Sequence, residues 1–219
     1  MTTKQKTIIS IEGGMAIGKT TLIRKLKEMN LGVEVLYENP DPVVAKVKKL
    51  KLDKNILADY RVNQRLFIED VIERIEKSNS EILLMDYGPE AIECHTLFYP
   101  ATQGFDWDIE TELNVELKLI RQYRSNNIFF LEADEKTLRV RKQSDKSRTR
   151  SSFEFYIKHM HPRKKSFFEN LDPTEFISAG SLSPDELANL IGKQIKEVPG
   201  KSIAPMEAME KSDELKKKI

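Results

Sequence analysis

A change of hydrophobic period near the N-terminus constrains the fold of this chain more than any other feature. The sequence TIISIEGGMAIGKTTLIRKL opens with a run of apolar or small residues at 7–11, which is typical of a buried strand. After the glycines, Leu22, Leu26 and Met29 recur at the spacing of one face of a helix. The pattern predicts a strand, a glycine-rich loop and a helix in direct succession.

The loop between these elements fits the phosphate-binding pattern G-x-x-x-x-G-K-[ST]. Its glycines let backbone N–H groups converge on phosphate oxygens, and the helix N-terminus adds partial positive charge. We expect Lys19 to act on the β- and γ-phosphates of ATP, and the Thr20 hydroxyl to bind Mg²⁺. The alternative, a glycine turn without a ligand, is disfavoured by the flanking strand and helix. The residues expected to contact the nucleotide are Gly13, Gly14, Met15, Ala16, Ile17, Gly18, Lys19, Thr20 and Thr21.

Strand and helix patterns continue to alternate after this unit. ILLMD (residues 82–86) and NIFFLEA (residues 127–133) are apolar runs, and a helical stripe extends over residues 56–77. Residues 87–109 have no steady period, which predicts a long loop or short broken helices. The alternation predicts an α/β fold with a doubly wound, mostly parallel sheet. Strands are also predicted at residues 33–37 and 176–179, and helices at residues 113–123, at residues 153–160 and after the capping box at Ser183.

Composition and charge narrow the class of protein. The chain has 36 basic and 35 acidic side chains, and its net charge of +1 gives no overall attraction to nucleic acid or anionic membranes. No apolar run is long enough for a transmembrane helix, the six residues before the first strand are too few for a signal peptide, and Cys94 is the single cysteine. We expect a cytoplasmic protein without nucleic-acid or membrane partners. Residues 1–197 are expected to form one domain, and residues 198–219 a charged, mobile tail.

Asp86 ends one of the apolar runs, at the edge of the sheet where the glycine loop is also expected. A carboxylate at this place is suited to hold a magnesium ion and its water shell beside the substrate. The alternative is an ordinary turn residue, because aspartate is common in turns. Thr20 and Asp86 are therefore the predicted metal ligands.

The stretch IEGGMAIGKTTL resembles the nucleotide-binding loop of the deoxynucleoside kinase and thymidylate kinase-like family, in which a Glu-Gly pair precedes the glycine loop. The resemblance implies an enzyme that moves the γ-phosphate of ATP to a hydroxyl of a nucleoside-like molecule. Glu38 in VLYENPDPV occupies the place of a Glu-Pro pair whose carboxylate is the general base. Physical chemistry agrees, because the acceptor hydroxyl needs a carboxylate that takes its proton. The alternative for Glu38 is a solvated carboxylate in a proline turn.

The same resemblance implies a base-binding glutamine on the long helix, and Gln64 in VNQRLF matches its place. Gln64 interrupts the apolar stripe, so its amide is either a substrate contact or a hydrogen-bonded residue at the edge of the core. Tyr60 and Phe67 flank it at helical spacing and are candidates to stack on a base, although such aromatics are more often part of the core. The predicted substrate contacts are Glu38, Tyr60, Gln64, Phe67 and Asp86.

A basic segment at residues 141–152 resembles the arginine-bearing lid that closes over the triphosphate in this family. Between Arg141 and Arg150 it carries five positive side chains and one negative side chain. We expect Arg148 and Arg150 to stabilise the charge of the transferred phosphoryl group, because a guanidinium spans two oxygens. The alternative is a solvated charged surface.

One departure from the family pattern leaves the identity of the substrate undetermined. The family has an arginine after the strand-end carboxylate, whereas this chain has Tyr87 in DYGPE. The alternatives are another small-molecule P-loop kinase, a nucleoside monophosphate kinase in which Arg61 or Arg65 contacts the acceptor phosphate, and a nucleotide-dependent regulatory ATPase that acts as a switch. A homodimer is a further expectation. The sequence does not decide between ATP and GTP.

Overall fold

The structure is a computed structural model that describes residues 6–145 and 152–198. The described residues contain a five-stranded sheet in the order β2-β3-β1-β4-β5, and every neighbouring pair of strands is parallel. The expected doubly wound α/β fold is thereby confirmed. The strands are β1 (Thr7–Gly13), β2 (Glu34–Leu36), β3 (Ile82–Asp86), β4 (Asn127–Glu132) and β5 (Thr174–Ser178).

Helices cover both faces of the sheet. Ile9 and Ile11 of β1 share one apolar core with the first and last helices, and Ile8 contributes to a second core on the opposite face. Because strands buried on both faces read as continuous apolar runs, these strands were recognisable in the sequence. The helices are α1 (Lys19–Glu28), α2 (Asp41–Leu50), α3 (Leu57–Lys77), α4 (Pro89–Thr102), α5 (Ile109–Glu112), α6 (Asn114–Ile120), α7 (Glu135–Ser144), α8 (Phe153–Phe155), α9 (His161–Glu169) and α10 (Pro184–Glu197).

The prediction for residues 87–109 was wrong, because most of this stretch forms the continuous helix α4. Gly88 precedes the helix and Pro89 occupies its first turn, which is a favoured position for proline. Residues on several sides of α4 are buried, including Glu90, Glu93 and Thr96, so the helix has no single apolar stripe. That burial removed the periodicity on which the prediction depended.

Two predicted segments lie largely outside the described residues. Asp134 caps α7 as its side chain accepts from Thr137 N–H, and α7 continues through Ser144, so the first part of the predicted lid is helical. Arg148 and Arg150 fall in residues 146–151, outside the described part of the chain. All but the first residue of the predicted tail at 198–219 also falls outside it. Across residues 6–145 and 152–198, no helix combines the length and apolar character needed to cross a bilayer.

Candidate active site

The glycine-rich loop connects the end of β1 to the start of α1. Gly13 has φ 136°, and a Cβ at this position would lie 2.6 Å from the carbonyl oxygen of Leu131 on β4. Gly18, directly before α1, has φ 103°. Side chains rarely adopt either conformation, so glycine is required at both positions for the loop to curl around a common centre.

The N-terminus of α1 is suited to an anion. No described side chain caps this helix, and its first turn holds no acidic residue, so the partial positive charge is left to a ligand. Lys19, the first residue of α1, folds back over the loop and donates from Nζ to the carbonyl oxygens of Gly13 at 3.3 Å and Gly14 at 3.2 Å. Burial lowers the pKa of the Lys19 ammonium, and the positive charge of Lys164 lowers it further. A phosphate bound beside the Lys19 ammonium would favour its charged form and so oppose both of these effects on its pKa.

Thr20 and Asp86 meet at the open edge of the sheet. Thr20 Oγ1 donates to Asp86 Oδ2 over 3.4 Å, and Asp86 is 5% exposed at the end of β3. A hydroxyl and a carboxylate side by side next to a phosphate-binding loop are the oxygen donors that Mg²⁺ prefers. The residues present therefore fit a magnesium ion, and both predicted ligands lie at one place.

Glu38 follows β2, and its carboxylate lies in the same cleft as Lys19 and Asp86. Glu38 is exposed to solvent and lines the cleft. Protein atoms crowd its carboxylate despite this exposure, and this desolvation raises the pKa of Glu38, as does the negative charge of Asp86. A carboxylate with a raised pKa is a stronger proton acceptor, which suits a general base.

All these groups line one cleft of about 1060 Å³. The cleft is lined by the glycine loop and by residues of α4 that include Ala91, Cys94, His95 and Tyr99. The rings of His95 and Tyr99 are stacked with centroids 4.9 Å apart. Burial lowers the pKa of His95 to about 4, and the Lys54 ammonium lies 4.6 Å from the centre of the Tyr99 ring. The arrangement places an anion site and an aromatic surface in one cleft.

Two of the predicted substrate residues form hydrogen bonds with Thr96 of α4. The Tyr60 hydroxyl donates to the Thr96 carbonyl oxygen at 2.8 Å, and Gln64 Oε1 accepts from the Thr96 hydroxyl at 2.9 Å. Neither residue, nor Phe67, is among the described residues that line the cleft. This placement favours the alternative of a hydrogen-bonded amide at the edge of the core, and a substrate contact for Tyr60, Gln64 or Phe67 stays a prediction.

The described end of the predicted lid has a different contact from the expected one. Arg141 donates from Nη1 to the carbonyl oxygen of Ile17 in the glycine loop and from Nη2 to that of Ala179 after β5, both at 2.7 Å. Arg141 therefore ties α7 to the loop. Arg61 and Arg65, the candidates for an acceptor phosphate, pair instead with Glu112 at 3.2 Å and Glu116 at 2.7 Å, and neither lines the cleft.

The sequence interpretation missed several charged residues of the cleft region, which include Arg24, Lys54 and Lys164. Lys164 on α9 lines the cleft and pairs through Nζ with Glu12 Oε2 at 2.7 Å, although 152 residues separate them. Glu12 Oε1 accepts the Gly88 N–H at 2.8 Å. The only sequence signal was a charged residue inside the apolar run of β1, which is a place where an ionised group needs a partner.

Comparison with solved structures places this geometry in a known fold. A structure of deoxyadenosine kinase from M. mycoides with the products dCMP and a flexible dCDP bound matches with a TM-score of 0.59 and 15% identity, over 88% of this chain and 100% of that chain. The same kinase with bound dATP matches with a TM-score of 0.63 and 15% identity, over 86% of this chain and 98% of that chain. This chain has the fold of a deoxynucleoside kinase. No protein-family model and no curated protein matches the sequence.

Proposed function

We propose that this chain is a P-loop kinase that moves the γ-phosphate of ATP to a hydroxyl of a nucleoside-like molecule. The observation that carries the proposal is the meeting of Lys19, the Thr20–Asp86 pair and Glu38 in one cleft. The cleft volume of about 1060 Å³ slightly exceeds the roughly 300–1000 Å³ of ordinary ligand pockets, so the cleft has room for two substrates.

Each residue has a role in a balanced transfer. The loop N–H groups and Lys19 hold the β- and γ-phosphates, and Glu38 takes the proton of the acceptor hydroxyl. The acceptor oxygen forms a bond to the γ-phosphorus while the bond from that phosphorus to the β-phosphate oxygen breaks, which yields ADP and a monophosphate. Thr20 and Asp86 would hold Mg²⁺, which when bound neutralises phosphate charge.

The solved relatives support a nucleoside as the acceptor. The similar M. mycoides structures hold dATP in one case, and the products dCMP and dCDP in the other. The stacked rings of His95 and Tyr99 offer an aromatic surface on which a nucleobase can stack. The pairing of Arg61 and Arg65 with carboxylates argues in the same direction, against a monophosphate acceptor.

Several finer assignments belong to this proposal. Arg148 and Arg150 are proposed to close over the triphosphate and to stabilise the transferred phosphoryl group, because their guanidinium groups fit two phosphate oxygens at once. A cytoplasmic location, a homodimer, and the absence of nucleic-acid and membrane partners also stay predictions from the sequence.

The test is ADP release from ATP and Mg²⁺ with a panel of nucleosides and, separately, nucleoside monophosphates. We expect one or more nucleosides to stimulate ADP release and the monophosphates to have little effect. Stimulation by monophosphates alone would identify a monophosphate kinase. ADP release that no acceptor changes, but that a protein partner does, would identify a regulatory ATPase.

A further inference from the structure

Lys164 is a second lysine that lines the cleft, and burying its charge costs free energy. Lys164 is 5% exposed, and its partner Glu12 is fully buried on β1. Their ion pair spans 2.7 Å, and the Lys164 ammonium also lies 4.9 Å from the centre of the Tyr87 ring. A buried ion pair seldom stabilises a fold more than apolar side chains of the same size would. The pair therefore calls for an explanation other than stability.

Lys164 lines the cleft together with residues of the glycine loop and the α4 residues Cys94 and His95. Burial lowers the pKa of His95, and the positive charges of Lys54 and then Lys164 lower it further, so the Lys164 ammonium acts on this part of the cleft. Lys164 is thus positioned near the junction at which a phosphoryl group would pass from one substrate to the other.

The junction needs a positive charge beyond that of Lys19. Two carboxylates, Glu38 and Asp86, face the same space, and each substrate oxygen that shares the transferred phosphorus carries partial negative charge. Residue 87, which directly follows the Asp86 carboxylate, is a tyrosine and supplies no charge. Its ring instead lies against the Lys164 ammonium. Arg24, Lys54 and Arg141 also line the cleft. The Arg141 guanidinium donates to two backbone carbonyl groups, and the Lys54 ammonium lies 4.6 Å from the centre of the Tyr99 ring.

We propose that Lys164 contacts the acceptor oxygen and the phosphoryl group it receives, and that Glu12 is the positioning residue that aims the ammonium at them. The inference rests on the proposed kinase function and adds a charge from α9 to its acceptor side. Lys164 keeps its proton throughout, and Glu38 remains the acceptor of the hydroxyl proton. Because Glu12 also accepts the Gly88 N–H, it fixes Lys164 relative to the start of α4, whose residues line the cleft.

Replacing Lys164 alone would leave the Glu12 carboxylate buried without its partner, and the variant could fail to fold. The test therefore uses the double variant Glu12→Gln/Lys164→Met, in which both charges are removed together. Lys165→Met is the matched control, because Lys165 is the next residue of α9 and pairs with Glu132 at 2.6 Å instead. Thermal unfolding establishes that each variant is folded before kinetics are measured.

We expect the double variant to bind ATP as the wild type does, while kcat/KM for the nucleoside falls by about 100-fold, the loss expected when one charge-stabilising donor is removed. The Lys165→Met control should stay within about threefold of wild type. A purely structural ion pair would leave the kinetics of the folded double variant unchanged, and that result would overturn the proposal.

A binding measurement separates this inference from the kinase function itself. Calorimetry with deoxycytidine and deoxycytidine monophosphate should show tighter binding of the monophosphate to the wild type, and the double variant should lose that difference. If the wild type phosphorylates no nucleoside but shows this loss, the kinase proposal fails and the anion contact of Lys164 stands. If the monophosphate has no advantage over the nucleoside in the wild type, the role of Lys164 is contradicted.

Discussion

Thr20 and Asp86 are 66 residues apart in the chain, and the Thr20 hydroxyl donates to the Asp86 carboxylate over 3.4 Å. The contact exists because β1 and β3 are parallel neighbours, which brings the loop after one strand beside the last residue of the other. It places the two predicted magnesium ligands together with the anion site at the carboxyl edge of the sheet. Ligand sites of open parallel sheets characteristically lie at this edge.

Removing the Lys19 ammonium should abolish phosphoryl transfer without unfolding the protein. We expect Lys19→Ala to lower kcat by at least about 100-fold, because the ammonium stabilises the charge that moves between the phosphates. The measurement is ADP release with nucleoside, accompanied by circular dichroism. Lys27→Ala, an exposed position of the same helix, is the control and should retain wild-type turnover. Wild-type turnover in Lys19→Ala would refute the assignment of the loop.

Glu38→Gln should lower kcat by about 100-fold or more and leave ATP affinity close to wild type, because a general base acts in the chemical step. Glu28→Gln, on an exposed part of α1, is the matched control. A Glu38→Gln enzyme with normal turnover would show that another group takes the proton.

The pH dependence of kcat tests the same carboxylate. Glu38 must be ionised to accept a proton, so turnover should fall as the pH falls. Burial and Asp86 raise the pKa of Glu38, which places this decline at higher pH than for a carboxylate in water. A profile that stays flat down to the pKa of an ordinary glutamate would contradict the role of the cleft.

Glu90 should make folding stability depend on pH. It is fully buried, its carboxylate accepts hydrogen bonds from Ser125, and burial raises its pKa from 4.5 to about 7. The folded state therefore favours the protonated form, so this contribution is complete below about pH 4.5 and is lost as the pH rises through about 7. Its size is roughly 3 kcal/mol of unfolding free energy.

Urea unfolding of Glu90→Gln between pH 4.5 and pH 8 measures this contribution. The amide cannot ionise, so the variant should gain stability relative to wild type by up to roughly 3 kcal/mol as the pH rises over this range. Glu69→Gln, at an exposed position of α3, is the control for the removal of one negative charge, and its stability should show no such gain as the pH rises. A constant difference between Glu90→Gln and wild type across the range would show that Glu90 does not titrate in it.

Arg141 should act mainly by holding the glycine loop. We expect Arg141→Met to lose about 1–3 kcal/mol of unfolding free energy, because two buried carbonyl groups lose their donors, and to bind ATP more weakly. Arg139→Met on the same helix is the control, since its partners Glu135 and Glu154 lie on the surface and such exposed pairs contribute little to stability. A loss of kcat alone, with stability and ATP affinity unchanged, would favour a lid role.

The sequence predicted what local patterns encode. The loop from Gly13 to Thr20 was recognisable because its chemistry lies in eight consecutive residues, and β3 was recognisable because a buried parallel strand is apolar throughout. The helix α4 was missed because burial on several sides hides its period. The contact of Lys164 with Glu12 was beyond any local pattern, since it depends on how α9 packs across β1.

The most direct test of the account follows the γ-phosphorus of ATP. The full chain is incubated with ATP labelled at the γ-phosphate, Mg²⁺ and a mixture of nucleosides, and the labelled products are separated. The account predicts label in a nucleoside monophosphate, and none there when Lys19→Ala replaces the wild type. Label recovered only as inorganic phosphate, or retained entirely in ATP, would contradict it.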